Sequence, residues 1–196
     1  GGYLNSGQMD SLLDFNFKYE ARDFINGEIE AVEARLEERG GKLSNTATMG
    51  QFLSSHDEDG FLLAHAGGDK SKQKIAAALQ ITAKGQPVIY YGEELGQTGK
   101  HAGDMDKGEF HENRYNLDWD NTEINDLLTH YQKLLNIRKD YSSVFAKGDR
   151  AKVAGSNEDG YLVFKREYKD QSLVIGLNTT EESQQITIDV PFEKAA

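Results

Sequence analysis

The chain has 196 residues, 37% of them hydrophobic and only two of them proline, which suits one large or two modest globular domains and excludes wholesale disorder. A net charge of −11 argues against a nucleic-acid or anionic-membrane partner, and no run approaches the roughly 20 apolar residues a bilayer span needs. Without cysteine there can be no disulfide, no thiolate metal site and no cysteine nucleophile.

Residues 1–20 lack the basic start and apolar core of a secretion signal, and Gly1-Gly2-Tyr3-Leu4 reads like a chain entered midway. From residue 10 to about 140, short apolar runs alternate with helical patterns, the signature of βα units around a parallel sheet. The segment 11–17 is strand-like. Ile25, Ile29, Val32 and Leu36 then recur at helical spacing, with Gly40-Gly41 as the stop. A second strand is predicted over 48–54. Gly67-Gly68-Asp69 is a turn and helix start, and the helix over 71–84 sets Ile75, Ala78, Leu79 and Thr82 on one face before Gly85. Residues 87–91 make a third strand. The stretch 92–121 is rich in Gly, Asp and His without periodicity, and so long a loop in a compact domain is usually functional. Thr122 opens a helix carrying Ile124, Leu127, Leu128, Tyr131, Leu135 and Arg138 along one side.

After Lys147-Gly148 the pattern changes. Runs at 152–156, 161–168, 172–178 and 185–190 alternate or are β-branched, with turn clusters at 157–160 and 169–171 between them. That is an antiparallel β module. The domain boundary is placed near 143–149, giving domains 1–143 and 144–196.

His56-Asp57 sits where the second strand gives way to a loop. In a βα-barrel catalytic side chains project from that end of a strand, and a His–Asp pair there can hold polar ligand atoms. From spacing alone the pair serves equally well as a turn that caps the next segment. Glu58 and Asp59 are poor mates for Asp57, because neighbouring strand residues face opposite ways. Of Glu93-Glu94, at least one is expected to be solvated or capping. The histidines at 56, 65, 101, 111 and 130 show no His-Glu-x-x-His metal spacing. Asp104, Asp106 and Glu109 could ligate calcium but lack the twelve-residue hand signature, so loop solvation is favoured and no cofactor is expected. Tyr161, Phe164 and Tyr168 could stack on a ligand ring, with core packing the favoured role.

Two motifs together carry a family resemblance. Phe52-Leu53-Ser54-Ser55-His56-Asp57 is similar to the Phe-x-x-Asn-His-Asp motif at the seventh barrel strand of the α-amylase family of glycoside hydrolases. Gly85-Gln86-Pro87-Val88-Ile89-Tyr90-Tyr91-Gly92-Glu93-Glu94 resembles that family's eighth-strand pattern, Gly-x-Pro-x-x-Tyr-x-Gly-x-Glu. Residues 7–17 are similar to the sixth-strand segment, and the helix at 122–139 and the β module match the last barrel helix and the C-terminal β domain. The resemblance therefore covers essentially the whole chain. It implies the C-terminal portion of a (β/α)8 TIM barrel, its last three βα units, followed by an antiparallel β-sandwich domain expected to be cut short at Ala196.

In that family the nucleophile aspartate and the general-acid glutamate precede the matched segment, and Asp57 corresponds to the third carboxylate. The resemblance implies that Asp57 grips sugar hydroxyls and favours the oxocarbenium-like state, with His56 bonded to the same sugar. Ser55 stands where the family has Asn. Arg114 matches the Arg of an outer-subsite Asp-x-x-x-Arg pair, but Phe110 takes the Asp place, and pairing with Glu112 or Asp118 is the alternative. The implied parent is a retaining glycosidase of α-1,4 or α-1,6 glucans such as starch and maltooligosaccharides, with these 196 residues inactive alone. The other reading is a non-catalytic carbohydrate-binding or structural module; transglycosylation is not separated from hydrolysis. Implied partners are the α-glucan, the missing N-terminal barrel half and, through open sheet edges, a second copy. The β module is expected to be the sturdier half, and an extracellular parent is expected.

Overall fold

The computed structural model describes residues 2–43, 49–123 and 125–189. Strands β1 (Leu12–Asp14), β2 (Met49–Gln51) and β3 (Gln86–Pro87) lie side by side in chain order, all parallel, with Leu12 opposite Met49 and Gly50 opposite Gln86. After the short α1 (Gly2–Asn5), helices α2 (Phe17–Ile25) and α3 (Ile29–Lys42) connect β1 to β2. Helices α4 (Phe61–Ala64) and α5 (Lys70–Thr82) connect β2 to β3. The long loop leads to α6 (Asp126–Asp140) and α7 (Ser142–Lys147). Then β4 (Asp149–Ala154), β5 (Tyr161–Tyr168) and β6 (Gln171–Asn178) form an antiparallel sheet in that order. This is the barrel portion and C-terminal β domain that the resemblance implies. No helix among the described residues is long and apolar enough to cross a membrane.

The elements differ from expectation mostly at their ends. The run 11–17 pairs only over 12–14, because the Asp14 carboxylate takes the Asn16 N–H at 3.2 Å and the helix begins at Phe17. The run 48–54 pairs over 49–51, and Thr48 lies outside the described residues. Of 87–91 only Pro87 belongs to a strand; Val88 still donates to the Gln51 carbonyl at 2.7 Å before the chain turns. The single helix expected through Ile25–Leu36 is two helices, broken at Gly27 with φ +90°. Gly40-Gly41 does not stop α3, which runs on to Lys42. Asn125, not Thr122, caps α6 by accepting the Leu128 N–H at 3.0 Å; Ile124 lies outside the described residues. The antiparallel sheet starts at Asp149 rather than Lys152. Residues 185–189 carry no regular structure, and Val190 lies outside the described residues.

The core joins the helices of the barrel portion to the antiparallel sheet. Phe17, Phe24, Ile29 and Val32 from α2 and α3 and Leu53, Phe61 and Leu79 join Leu162, Phe164 and Leu177 of the antiparallel sheet in one apolar cluster. Phe164 is thus a core residue, whereas Tyr161 and Tyr168 are half-buried. The opposite face of the parallel sheet is bare: Leu13 and Val88 flank Gly50 and are 56% and 41% exposed.

Two buried arginines converge on the C-terminal end of α5, and Arg166 ties the antiparallel sheet to it. Arg138 of α6 donates to the carbonyls of Ile81 (2.5 Å), Ala83 (3.2 Å) and Gly85. Arg166 of β5 donates to Thr82 (2.7 Å), Phe145 (2.8 Å), Gly148 (2.9 Å), Val144 (3.2 Å) and Asp149 (3.3 Å). Helix C-termini leave four carbonyls without helical partners and carry partial negative charge, so a guanidinium satisfies both needs. Burial lowers both guanidinium pKa values to about 10, which leaves them charged at neutral pH.

Candidate functional site

The site grows from the C-terminal end of β2. Phe52 and Leu53 are buried and anchor the chain, and Ser54 Oγ accepts the Phe61 N–H at 2.9 Å, closing the turn 54–60. At its tip the Asp57 side chain is 63% exposed. One carboxylate oxygen, Oδ2, lies 3.1 Å from His56 Nε2, and the other accepts from Arg114 Nη2 at 3.2 Å. Arg114 Nε also donates to the His56 carbonyl at 3.1 Å. The structure therefore brings His56, Asp57 and Arg114 together. Arg114 pairs with neither of its sequence neighbours: Glu112 accepts from the Lys100 N–H, and Asp118 donates its own N–H to Gln97.

Glu58 and Asp59 have partners other than Asp57, although the segment is a turn and not the strand whose alternation was expected to part them. Glu58 pairs with the buried Lys18 of α2, and Asp59 Oδ1 accepts the His101 N–H at 2.6 Å. Each carboxylate holds one side of the turn. Asn113, almost wholly buried, donates from Nδ2 to both the Ser55 carbonyl (3.1 Å) and the Glu58 carbonyl (2.6 Å). Nothing in the spacing of the sequence singles out Lys18 or Asn113, whose partners lie far along the chain.

The loop after β3 carries a cluster of Tyr90, Tyr91 and Tyr115, with centroids 4.7 to 6.4 Å apart. Burial first, then the hydrogen bond with Tyr91, pushes the Tyr90 phenol up to about 12; burial also raises Tyr115. These phenols stay protonated near neutrality and can serve as donors but not as bases. Glu93 is buried rather than solvated, and Glu94 is half-buried. Burial raises the Glu93 carboxyl to about 7, against the pull of the Ser54 and Tyr131 hydroxyls. The acids at 104–109 serve the loop itself: Glu109 Oε2 accepts the N–H groups of Gly103 and Asp104, and Asp104 pairs with Lys107. Among the described residues no three His, Asp or Glu side chains are grouped to hold a metal ion. A groove of about 690 Å³ lies elsewhere, between α3 and β4, where Glu33 and Arg150 pair at 2.7 Å. Their charges are spent on each other.

Parallel strands joined by helical crossovers, with an exposed carboxylate at a strand's C-terminal end, place the chain in the βα class of scaffold, to which βα-barrels belong. Residues 2–144 match the α-amylase catalytic domain and residues 155–194 the α-amylase C-terminal domain. The chain belongs to the α-amylase family. It is 32% identical over 196 residues to neopullulanase 2 of Thermoactinomyces vulgaris, an alignment covering 97% of this chain and 32% of that protein. It is 33% identical over 140 residues to a cyclomaltodextrinase of Geobacillus thermopakistaniensis, covering 71% of this chain and 22% of the relative. A solved structure of a cyclomaltodextrinase superposes with a TM-score of 0.80 at 26% identity, over 97% of this chain and 32% of the other. The chain thus spans about a third or less of the length of these relatives.

Proposed function

We propose that the chain forms one side of the α-glucan-binding cleft of a retaining glycoside hydrolase acting on α-1,4 or α-1,6 linkages. The substrate class follows from relatives named neopullulanase and cyclomaltodextrinase. The observation that carries the reading is the Asp57 carboxylate, exposed at a strand end and held oxygen by oxygen between His56 and Arg114. A carboxylate oriented in this way accepts sugar hydroxyls without first being ordered, so its bonds can strengthen as the sugar ring flattens towards an oxocarbenium ion. His56 and Arg114 are assigned to the same sugar and its neighbour. The nucleophile and general acid that a retaining mechanism requires are assigned to the parent's N-terminal barrel half.

Maltoheptaose titrated calorimetrically into the chain is expected to bind, and Asp57→Ala to weaken that binding roughly 10- to 100-fold, the range for losing charged hydrogen bonds. The purified 196-residue chain is expected to release no reducing sugar from starch or pullulan. Release of sugar would refute the division of labour, and absence of binding would leave only the structural-module reading. The bare sheet face around Leu13 and Val88 is assigned to the parent's preceding barrel strands or, without them, to a second copy. Sedimentation equilibrium is expected to show mass rising with concentration, and Leu13→Lys to hold the chain monomeric.

A further inference from the structure

The tip of the 54–60 turn is exposed, yet its shape is set from beneath. Backbone carbonyls at Ser55 and Glu58 both point at one group, the Asn113 amide nitrogen, at 3.1 and 2.6 Å. An amide has two N–H donors in one plane, so a single side chain can bridge two carbonyls three residues apart. Asn113 lies 58 and 55 residues beyond them and is almost fully buried. Its own position is fixed three ways. Its N–H donates to the Lys100 carbonyl at 3.2 Å, and its carbonyl accepts the Tyr90 hydroxyl at 2.9 Å. On the facing arm of the loop, a Cβ on Gly99 would lie 2.5 Å from the Glu112 carbonyl, so the two arms are pressed together at this point. The next residue is Arg114, which reaches Asp57 and the His56 carbonyl.

We propose that Asn113 is the positioning residue of the site: by bridging the Ser55 and Glu58 carbonyls it fixes the turn that carries His56 and Asp57 and delivers Arg114 to them in register. The geometry makes the loop after β3 and the turn after β2 one unit. Asn113 touches no substrate; it acts through Asp57 and Arg114, and its effect on sugar binding rests on the reading of Asp57 given above. A hydrophobic or carboxylate side chain in its place leaves two carbonyls facing a group that cannot donate. The turn then has no reason to hold the Asp57 carboxylate between two donors, and a sugar must order it on binding, which costs affinity.

The test separates this from sugar binding. In the wild-type chain, the Asn113 side-chain NH₂ protons should exchange with solvent far more slowly than those of the exposed Asn116, by NMR. Asn113→Asp keeps the volume but removes the donor at neutral pH. In that variant the Arg114 Nε–H signal is expected to shift and broaden, and maltoheptaose affinity to fall about tenfold, the scale of one lost hydrogen bond. An unshifted Arg114 signal in Asn113→Asp, or fast exchange of the wild-type Asn113 amide, overturns the proposal. Should Asn113→Asp fail to fold, the wild-type exchange rates alone decide it. Should the wild-type chain bind no maltoheptaose, the reading of Asp57 fails, while the Asn113 and Arg114 signals still judge the clasp.

Discussion

Arg166→Leu is expected to lower the unfolding free energy by about 3–5 kcal/mol and the melting midpoint by roughly 10 °C, read by urea and thermal denaturation. The guanidinium is fully buried on β5 and donates to five carbonyls drawn from the end of α5, the end of α7 and the start of β4. Leucine removes the cost of burying a charge, which works in its favour. Against that, the Thr82, Phe145 and Gly148 carbonyls lose a charged donor in a place where water does not reach, and each stranded group costs on the order of 1–3 kcal/mol. The α5 terminus also loses a cation from its negative end, worth about 0.3–2 kcal/mol. The Val144 carbonyl is spared, because the Gly148 N–H already serves it at 2.9 Å. The losses therefore outweigh the gain.

Lysine at 166 is expected to recover less than half of the difference, since a single ammonium cannot reproduce a planar fork that reaches three segments. Arg138→Leu should cost less, because it serves one helix end and its carbonyls stand near one another. The two effects should not add, since both arginines satisfy the same terminus of α5. A denaturation midpoint for Arg166→Leu within error of wild type would mean that water enters and replaces the fork.

What could be read before the fold was known is unequal. Residues 161–168 begin with an apolar run and lie between turn clusters, and β5 occupies that span to the residue. Asp69 after two glycines announced a helix start, and its carboxylate accepts the Ser71 and Lys72 N–H groups. The parallel strands are another matter. The end of β1 is set by a side chain bonding to backbone, Asp14 to Asn16, and an apolar run does not reveal where such a bond cuts it short. Gly40-Gly41 misled because a helix-interior glycine costs only about 1 kcal/mol. Ion pairs from Arg39 to Asp14 and from Lys42 to Glu38 support that last turn. At the site, His56 and Asp57 were legible because they are adjacent in a motif. Arg114 was legible only through resemblance. Asn113 and Lys18 were not, because their roles consist of contacts across 40 to 58 residues and leave no period or spacing behind.

Glu93→Gln is expected to flatten the stability profile between about pH 4.5 and 7 and to make the protein more stable than wild type above pH 7. Glu93 is buried beside β3, with Oε1 accepting the Tyr131 hydroxyl at 2.9 Å, and that hydroxyl accepts in turn from Gln73 Nε2 at 2.9 Å. Burial holds its carboxyl near 7, against 4.5 in the unfolded chain. Between these values the folded state binds the extra proton, so stability falls as pH rises; below about 4.5 the contribution is complete, and above about 7 it is gone. The span corresponds to a change on the order of 3 kcal/mol, with no allowance for solvent screening because the group is fully buried. His65 and His130 oppose this slope. Burial depresses both below the ordinary 6.5, the unfolded state binds their protons more tightly, and they add stability as pH rises towards 6.5, above which their contribution is complete. The difference between wild type and Glu93→Gln cancels the histidines and isolates the carboxyl. Glutamine reproduces the neutral acid in shape and still accepts from Tyr131. Tyr131→Phe should act in the opposite sense on the wild-type carboxyl, removing a bond that favours the anion and raising its pKa further. If the wild-type and Glu93→Gln profiles run parallel from pH 4 to 8, Glu93 is ionised in the folded protein and water reaches it.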